Sequence, residues 1–243
     1  MGRSGRRIQV FKQFEIHDDA CGMKVGTDAL VLGAFAGNRQ PVQTIKRVLD
    51  IGTGSGILAL MLAQRFPQAR IDAIEVEPEA AYQATQNVVG SPFSDRIRVH
   101  HAALQGWGGG EGFDLIVCNP PFFHNHPKSK DRKRNLARHD DAMPLSVLLS
   151  KAKVLLANAG MMEVIFPHDR DDEFLEVSAR VGLHVAHRVA VQPKSNHRPL
   201  RTLWCLSLNP CIPETRTLFL ESESGNHAWS VEMRRALAPF VPI

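Results

Sequence analysis

Cysteine is scarce and scattered. The four present (Cys21, Cys118, Cys205 and Cys211) show no CxxC spacing. That argues against a disulfide framework or a cysteine-built zinc site, and fits a reducing, cytoplasmic setting. Long apolar runs are missing, and no stretch reaches the roughly 18 residues of a transmembrane helix. The basic opening MGRSGRRIQVF has no apolar stretch behind it, so no secretory signal is expected. Repeats and low-complexity segments are lacking too. No charge dominates: the net value is +4, a weak pull towards a polyanion by itself. What remains is a globular composition, with 44% hydrophobic residues over 243. That is enough to bury one large α/β domain or two small ones.

From Lys46 onward the chain alternates strand-like and helix-like stretches. RVLDI, RIDAIEV, RIRVHH, FDLIVCN, MMEVIF, HVAHRVAVQ and RTLWCLSL read as strands. GILALMLAQRF, PEAAYQATQNVV and DRDDEFLEVSARVG read as helices, the second with Pro78 in its first turn. PLSVLLSKAKVLLANAG carries Leu145, Leu148, Leu149, Ala152, Leu155 and Leu156 on one face, with Gly160 expected as its cap. The alternation predicts an α/β fold, a doubly wound and mostly parallel sheet of seven strands. No helix separates the last two strands, so they should form a C-terminal antiparallel hairpin. Upstream, Thr27 or Asp28 is expected to cap a short helix that Gly37-Asn38 closes. A short helix is expected near Val231–Leu237. The whole is read as one domain over 1–243: an N-terminal segment (1–40), a core (41–208) and a tail (209–243).

The first strand runs into VLDIGTGSG. Gly52, Gly54 and Gly56, with Thr53 between them, permit a tight turn and close backbone approach at a helix N-terminus. The next strand ends with Glu75 and Val76, and an acid there can bind both hydroxyls of a ribose. The blander reading is a strand-to-helix turn beside a solvated acid. Gly54-Ser55-Gly56-Ile57-Leu58-Ala59 also satisfies a dinucleotide pattern, which leaves a dehydrogenase as the remote option. Asp50, however, stands where a pyrophosphate would come close, and like charges repel. A cationic ligand without phosphate fits better. VLDIGTGSG followed by AIEVEP resembles the glycine motif and ribose acid of class I S-adenosylmethionine-dependent methyltransferases. The resemblance implies a Rossmann-like fold, S-adenosylmethionine as cofactor, and the glycine loop against its methionyl part. Many members carry an acid after the third strand for the adenine amino group. Here that region reads VHHAALQGW, so backbone at Ala102, Ala103 and Leu104 is the candidate.

FDLIVCNPPFF ends a buried strand in an amide, two prolines and two phenylalanines. It resembles the (D/N/S)PP(Y/F) signature of amino methyltransferases, which act on nucleobase amines or glutamine amides. The lone pair of such a nitrogen is delocalised, so the chemical need is orientation. The Asn119 side-chain oxygen and the Pro120 carbonyl can hold the two hydrogens and turn the nitrogen towards the methyl. Pro121 stiffens the turn. Phe122 offers a stacking face for an unstacked base, worth roughly 1–3 kcal/mol. Phe123 stacks likewise or packs beneath. The alternative is a strand-end turn with core phenylalanines.

Directly after this motif, His124 to His139 holds six basic residues (Lys128, Lys130, Arg132, Lys133, Arg134 and Arg138) and one Asp. A solvated loop is the plain reading. Its place beside the motif favours a phosphate-backbone clamp that includes His139. Lys194, His197, Arg198 and Arg201, around the turn between the last two strands, form a second basic cluster. His124, His126 and His139 match no compact metal spacing, so no metal is expected. Together FKQFEIHDDACGMKVGTDALVLGAFA, NPPFF and RNLARHD resemble the bacterial valine-tRNA adenine-N6 methyltransferases, from about Phe11 to Leu208. The resemblance implies methylation of adenine 37 in tRNA and an N-terminal segment over the cofactor. It places Lys24, Gly26, Thr27 and Asp28 near the methionine end. Rival readings are methylation of protein glutamine or of ribosomal guanine N2, and a tRNA-binding module without turnover. A cytoplasmic monomer that binds tRNA and no membrane is the expectation.

Overall fold

The structure is a computed structural model, and it describes residues 8–120, 143–223 and 228–242. The chain first makes a small antiparallel pair, β1 (Ile8–Val10) and β2 (Glu15–His17), then α1 (Thr27–Phe35). The main run follows as β3 (Arg47–Ile51), α2 (Ile57–Arg65), β4 (Arg70–Glu75), α3 (Pro78–Val89), β5 (Ile97–His101) and β6 (Phe113–Cys118). It continues through α4 (Leu145–Leu155), β7 (Leu156–Pro167), α5 (Asp171–Val181), β8 (His184–Gln192), β9 (Arg201–Ser207), β10 (Glu214–Phe219) and α6 (Val231–Leu237).

The large sheet has the order β10-β8-β9-β7-β6-β3-β4-β5. β3 to β7 pair in parallel, whereas β9 runs antiparallel to both β7 and β8. Side chains alternate across it, as strand geometry requires. Val48, Leu115 and Val117 join one core with α1, α2 and α6. Leu49, Ile116 and Cys118 join the other with α4 and α5. The chain leaves β3 towards β4 and β5, then returns to β6 on the other side. That reversal opens a crevice at the carboxyl ends of β3 and β6, where ligands bind in such sheets.

Three expectations change. The sheet has eight strands, not seven, because β10 from the tail pairs in parallel with β8. Neither Thr27 nor Asp28 caps α1: the cap is the extended backbone of Gly26, without a side-chain bond. The leucine-rich helix ends at Leu155, and Gly160 lies within β7 instead of capping it. There Phe113 pairs with Leu156 but Leu115 with Met161, so the extra residues of β7 bulge out. A Cβ on Gly160 would sit 2.4 Å from the Phe113 carbonyl oxygen. The hairpin, Pro78 in the first turn of α3 and the helix at Val231–Leu237 stand as read.

Candidate active site

Register sets the site. Ile51 pairs with both Ile74 and Cys118, and Glu75 with His101. The residues that follow these strands (Gly52, Val76, Ala102 and Asn119) therefore emerge side by side at one edge.

The glycine turn is held from beneath. Gly52 and Thr53 N–H both donate to the Ile74 carbonyl, at 2.9 and 3.0 Å, and Gly56 N–H donates to Thr53 at 2.9 Å. All three glycines have positive φ, which a side chain would strain. A Cβ on Gly52 or Gly54 would meet nothing within 4 Å among the described residues. The turn thus faces open space in which a ligand can lie against backbone.

Two acids flank that space. Glu75 accepts N–H bonds from Gly54 (2.8 Å), Val76 (2.8 Å) and Glu77 (3.0 Å). Those three bonds hold its side chain in the floor of the turn. Asp50 is fully buried. Its Oδ2 accepts from Thr53 Oγ1 at 2.5 Å and Ala59 N–H at 3.2 Å, while Oδ1 has no partner among the described residues. Burial pushes its pKa up to about 7, against the pull of those two bonds, and Glu75 adds repulsion. A buried oxygen left without a donor is costly. A cationic group beside it would remove that penalty, so the donor set fits a sulfonium or ammonium and repels phosphate.

Asn119 and Pro120 follow β6 and are half-buried. Cys118 just before them is buried, and its thiol is pushed well up, first by burial and then by Asp50 and Glu75. The end of β6 therefore lies within electrostatic reach of both acids. Val76, 54% exposed, offers an apolar surface beside Glu75. Ala102 N–H donates to the Glu75 carbonyl at 2.9 Å, and the Ala103 carbonyl accepts from Gly106 at 3.2 Å. These two residues line the same edge within a turn. Pro121, Phe122, Phe123, Lys128, Lys130, Arg132, Lys133, Arg134, Arg138 and His139 lie outside the described residues.

The N-terminal segment meets the same edge. Lys24 Nζ donates to the carbonyls of Asp18 (2.6 Å), Asp19 (3.0 Å) and Cys21 (3.1 Å), so it knots its own loop. Asp28 Oδ2 accepts from Arg201 Nε at 2.8 Å. Gly26 and Thr27 open α1 alongside. Pro167 pairs with Arg201, which puts the β8–β9 turn with Lys194 and Arg198 at this edge as well. Arg198 is exposed, whereas Lys194 lies 3.6 Å from Glu221. Among the described residues no three His, Cys, Asp or Glu side chains form a metal-binding group.

Sequence reasoning passed over Gln83, Asn87 and Asp18. Gln83 and Asn87 sit in an ordinary polar stretch of α3, and nothing local distinguishes them from solvated helix positions. Yet Asn87 bonds to both His17 and Ser55.

The family model described as Methyltransferase small domain matches residues 25–170. A Porphyromonas gingivalis protein is 42% identical over 240 residues, covering 95% of this chain and 93% of its own. A Pedobacter heparinus protein is 36% identical, covering 88% and 90%. Both bear the name tRNA1(Val) (adenine(37)-N6)-methyltransferase. Among solved structures, one from Agrobacterium tumefaciens described as a predicted O-methyltransferase superposes with a TM-score of 0.66 at 18% identity. It covers 88% of this chain and 96% of that one. P. horikoshii TYW2, solved with MeSAdo, superposes at 0.59 and 13% identity, covering 85% and 72%. These two share the fold.

Proposed function

The chain belongs to the tRNA1(Val) (adenine(37)-N6)-methyltransferase family, within the small-domain methyltransferases, and on that premise we propose how its site transfers a methyl group to adenine N6. It is an S-adenosylmethionine-dependent enzyme, and its substrate is adenine 37 of valine tRNA. One observation carries the cofactor reading: the Oδ1 of buried Asp50, without a partner among the described residues, beside an open glycine turn.

S-adenosylmethionine, when bound, supplies an electrophilic methyl carbon and leaves as the thioether. The protein's part is binding and orientation. Asp50 faces the positive end, helped by Thr53 and the segment around Lys24, Gly26, Thr27 and Asp28. Glu75 already holds the turn through Gly54, Val76 and Glu77, and the lone pair left on its Oε2 would take a ribose hydroxyl. Val76 supports one face of the cofactor adenine, with Ala102 and Ala103 at its edge. Asn119 Oδ1 and the Pro120 carbonyl accept the two N6 hydrogens and aim the nitrogen. Orientation of this kind accounts for a large part of such catalysis. Proline leaves its carbonyl aimed by a fixed φ. The N6 proton becomes acidic only after methylation, so water suffices to take it. Phe122 is the proposed stacking face for the unstacked base, Phe123 a second candidate, and the basic residues from Lys128 to His139, with Lys194 and Arg198, are the proposed contacts to the tRNA backbone.

We take residues 1–243 as one methyltransferase domain. β10 from the tail is part of the main sheet, and Lys12 N–H donates to the Phe240 carbonyl at 2.7 Å. No helix among the described residues is long and apolar enough to cross a membrane. A cytoplasmic monomer without metal is the working picture.

The test is methyl transfer from labelled S-adenosylmethionine to tRNA, with nucleoside mass spectrometry of the product. N6-methyladenosine at position 37, lost in Asn119→Ala, is the expected result. Label on protein and none on RNA overturns the reading.

A further inference from the structure

Two amides of α3 grip the N-terminal segment. Gln83 and Asn87 stand four residues apart, on one helix face. Asn87 is 4% exposed and uses three bonds. Its Oδ1 accepts His17 N–H at 3.1 Å, and its Nδ2 donates to the His17 carbonyl and to the Ser55 carbonyl, both at 2.8 Å. Ser55 lies inside the glycine turn. Gln83 Oε1 accepts Ala20 N–H at 2.7 Å and the Cys21 thiol at 3.5 Å.

What they grip is a body already knotted within itself. Asp18, fully buried, accepts Val25 N–H at 2.9 Å and Gln9 Nε2 at 3.3 Å. Lys24 gathers three carbonyls of the same loop. A rigid loop fastened at two points moves as one piece. Its inner residue Cys21 is pushed up to about 11, mainly by burial, with Asp18 and Glu75 adding repulsion. That places the loop within reach of the ribose acid.

We propose that Asn87, seconded by Gln83, is a positioning residue for methyl transfer: it locks residues 17–25 against the glycine turn through His17 and Ser55, and so presets the cofactor pocket. This rests on the cofactor reading above. Neither amide touches the reacting atoms, so the effect falls on cofactor binding. A preset site binds more tightly because less is ordered on binding.

The test uses the full chain, tRNA and S-adenosylmethionine. Asn87→Asp keeps the shape and the acceptor but loses both donations and sets a carboxylate against two carbonyls. It should raise KM for S-adenosylmethionine about tenfold, with kcat at saturating cofactor and KM for tRNA within about twofold. Gln83→Ala, at a partly exposed position, should raise the same KM about threefold. The double variant should show less than the product of the two effects, since both hold one segment. Gln86→Ala, exposed on the same helix, serves as the unchanged control. Unchanged cofactor KM in Gln83→Ala and Asn87→Asp overturns the inference while leaving the reaction intact, as does a loss confined to kcat. If Asn87→Asp fails to fold, Gln83→Ala decides alone. A wild-type chain that neither binds the cofactor nor methylates tRNA overturns both readings together.

Discussion

Arg201 Nε donates to Asp28 Oδ2 at 2.8 Å, which ties the first residue of β9 to the first turn of α1. The two are 173 residues apart, and both side chains are largely shielded, at 24% and 30% exposure. One end belongs to the segment proposed to cover the cofactor, the other to the basic hairpin proposed to contact tRNA.

A double-mutant cycle tests that link. Asp28→Ala or Arg201→Ala should each lower stability by about 1 kcal/mol, and the double variant by less than the sum, because the partner no longer needs pairing. Thermal unfolding reads the stability. Fully additive losses would show that the pair is not coupled.

Asp50 supplies a pH dependence with a definite sign. Its pKa is raised to about 7, first by burial. The free protein therefore holds a proton there below neutrality. A cation favours the ionised form, so cofactor binding should release that proton. Affinity should rise with pH, roughly tenfold from pH 6 to pH 8. Folding shows the opposite trend. A raised carboxylate binds its proton more tightly in the native state, so its contribution falls as pH climbs from the ordinary 3.8 to about 7. Calorimetry in two buffers of different ionisation heat measures the released proton. Asp50→Asn should abolish the release and flatten both profiles.

Gly160 gives a prediction about the fold alone. A methyl there would approach the Phe113 carbonyl oxygen to 2.4 Å and two Ala157 backbone atoms to 3.0 Å. Backbone on every side has little room to yield. Gly160→Ala should lower stability by about 1–3 kcal/mol. A denaturant midpoint equal to wild type would mean that the bulge relaxes freely.

The same glycine shows where sequence reasoning runs out. Helical spacing of leucines continued past the true end of α4, and Gly160 resembled a helix cap. Only the pairing of Phe113 with Leu156 turns that stretch into strand, and such pairing leaves no local trace. β10 was illegible for a related reason. As an edge strand it buries only Leu218, so no alternation marks it. The core strands were legible because both their faces are buried, which forces apolar runs. In the site, Gly52, Gly54, Asp50 and Glu75 were legible because their backbone and charge demands fall on residue type. Asn87 was not, since its partners His17 and Ser55 come from distant parts of the chain.

Asn119 provides the sharpest separation of roles. It follows β6, whose last residue feels both Asp50 and Glu75, and in the proposed site its own polar group is left for the substrate nitrogen. An acceptor that aims a nucleophile acts in the transition state more than in the ground state. Asn119→Ala should therefore lower kcat about 100-fold while cofactor affinity stays within about threefold. Asn119→Asp keeps an acceptor oxygen, so it should retain more activity than the alanine variant. It also adds a third carboxylate near Asp50 and Glu75, and like charges raise each other's pKa. At saturating cofactor, its methylation rate should accordingly depend on pH more steeply than that of the wild type. Single-turnover methylation of tRNA, measured from pH 6 to pH 9, resolves both effects. Equal loss in the two variants at every pH would show that the amide N–H, and not the oxygen, does the aiming.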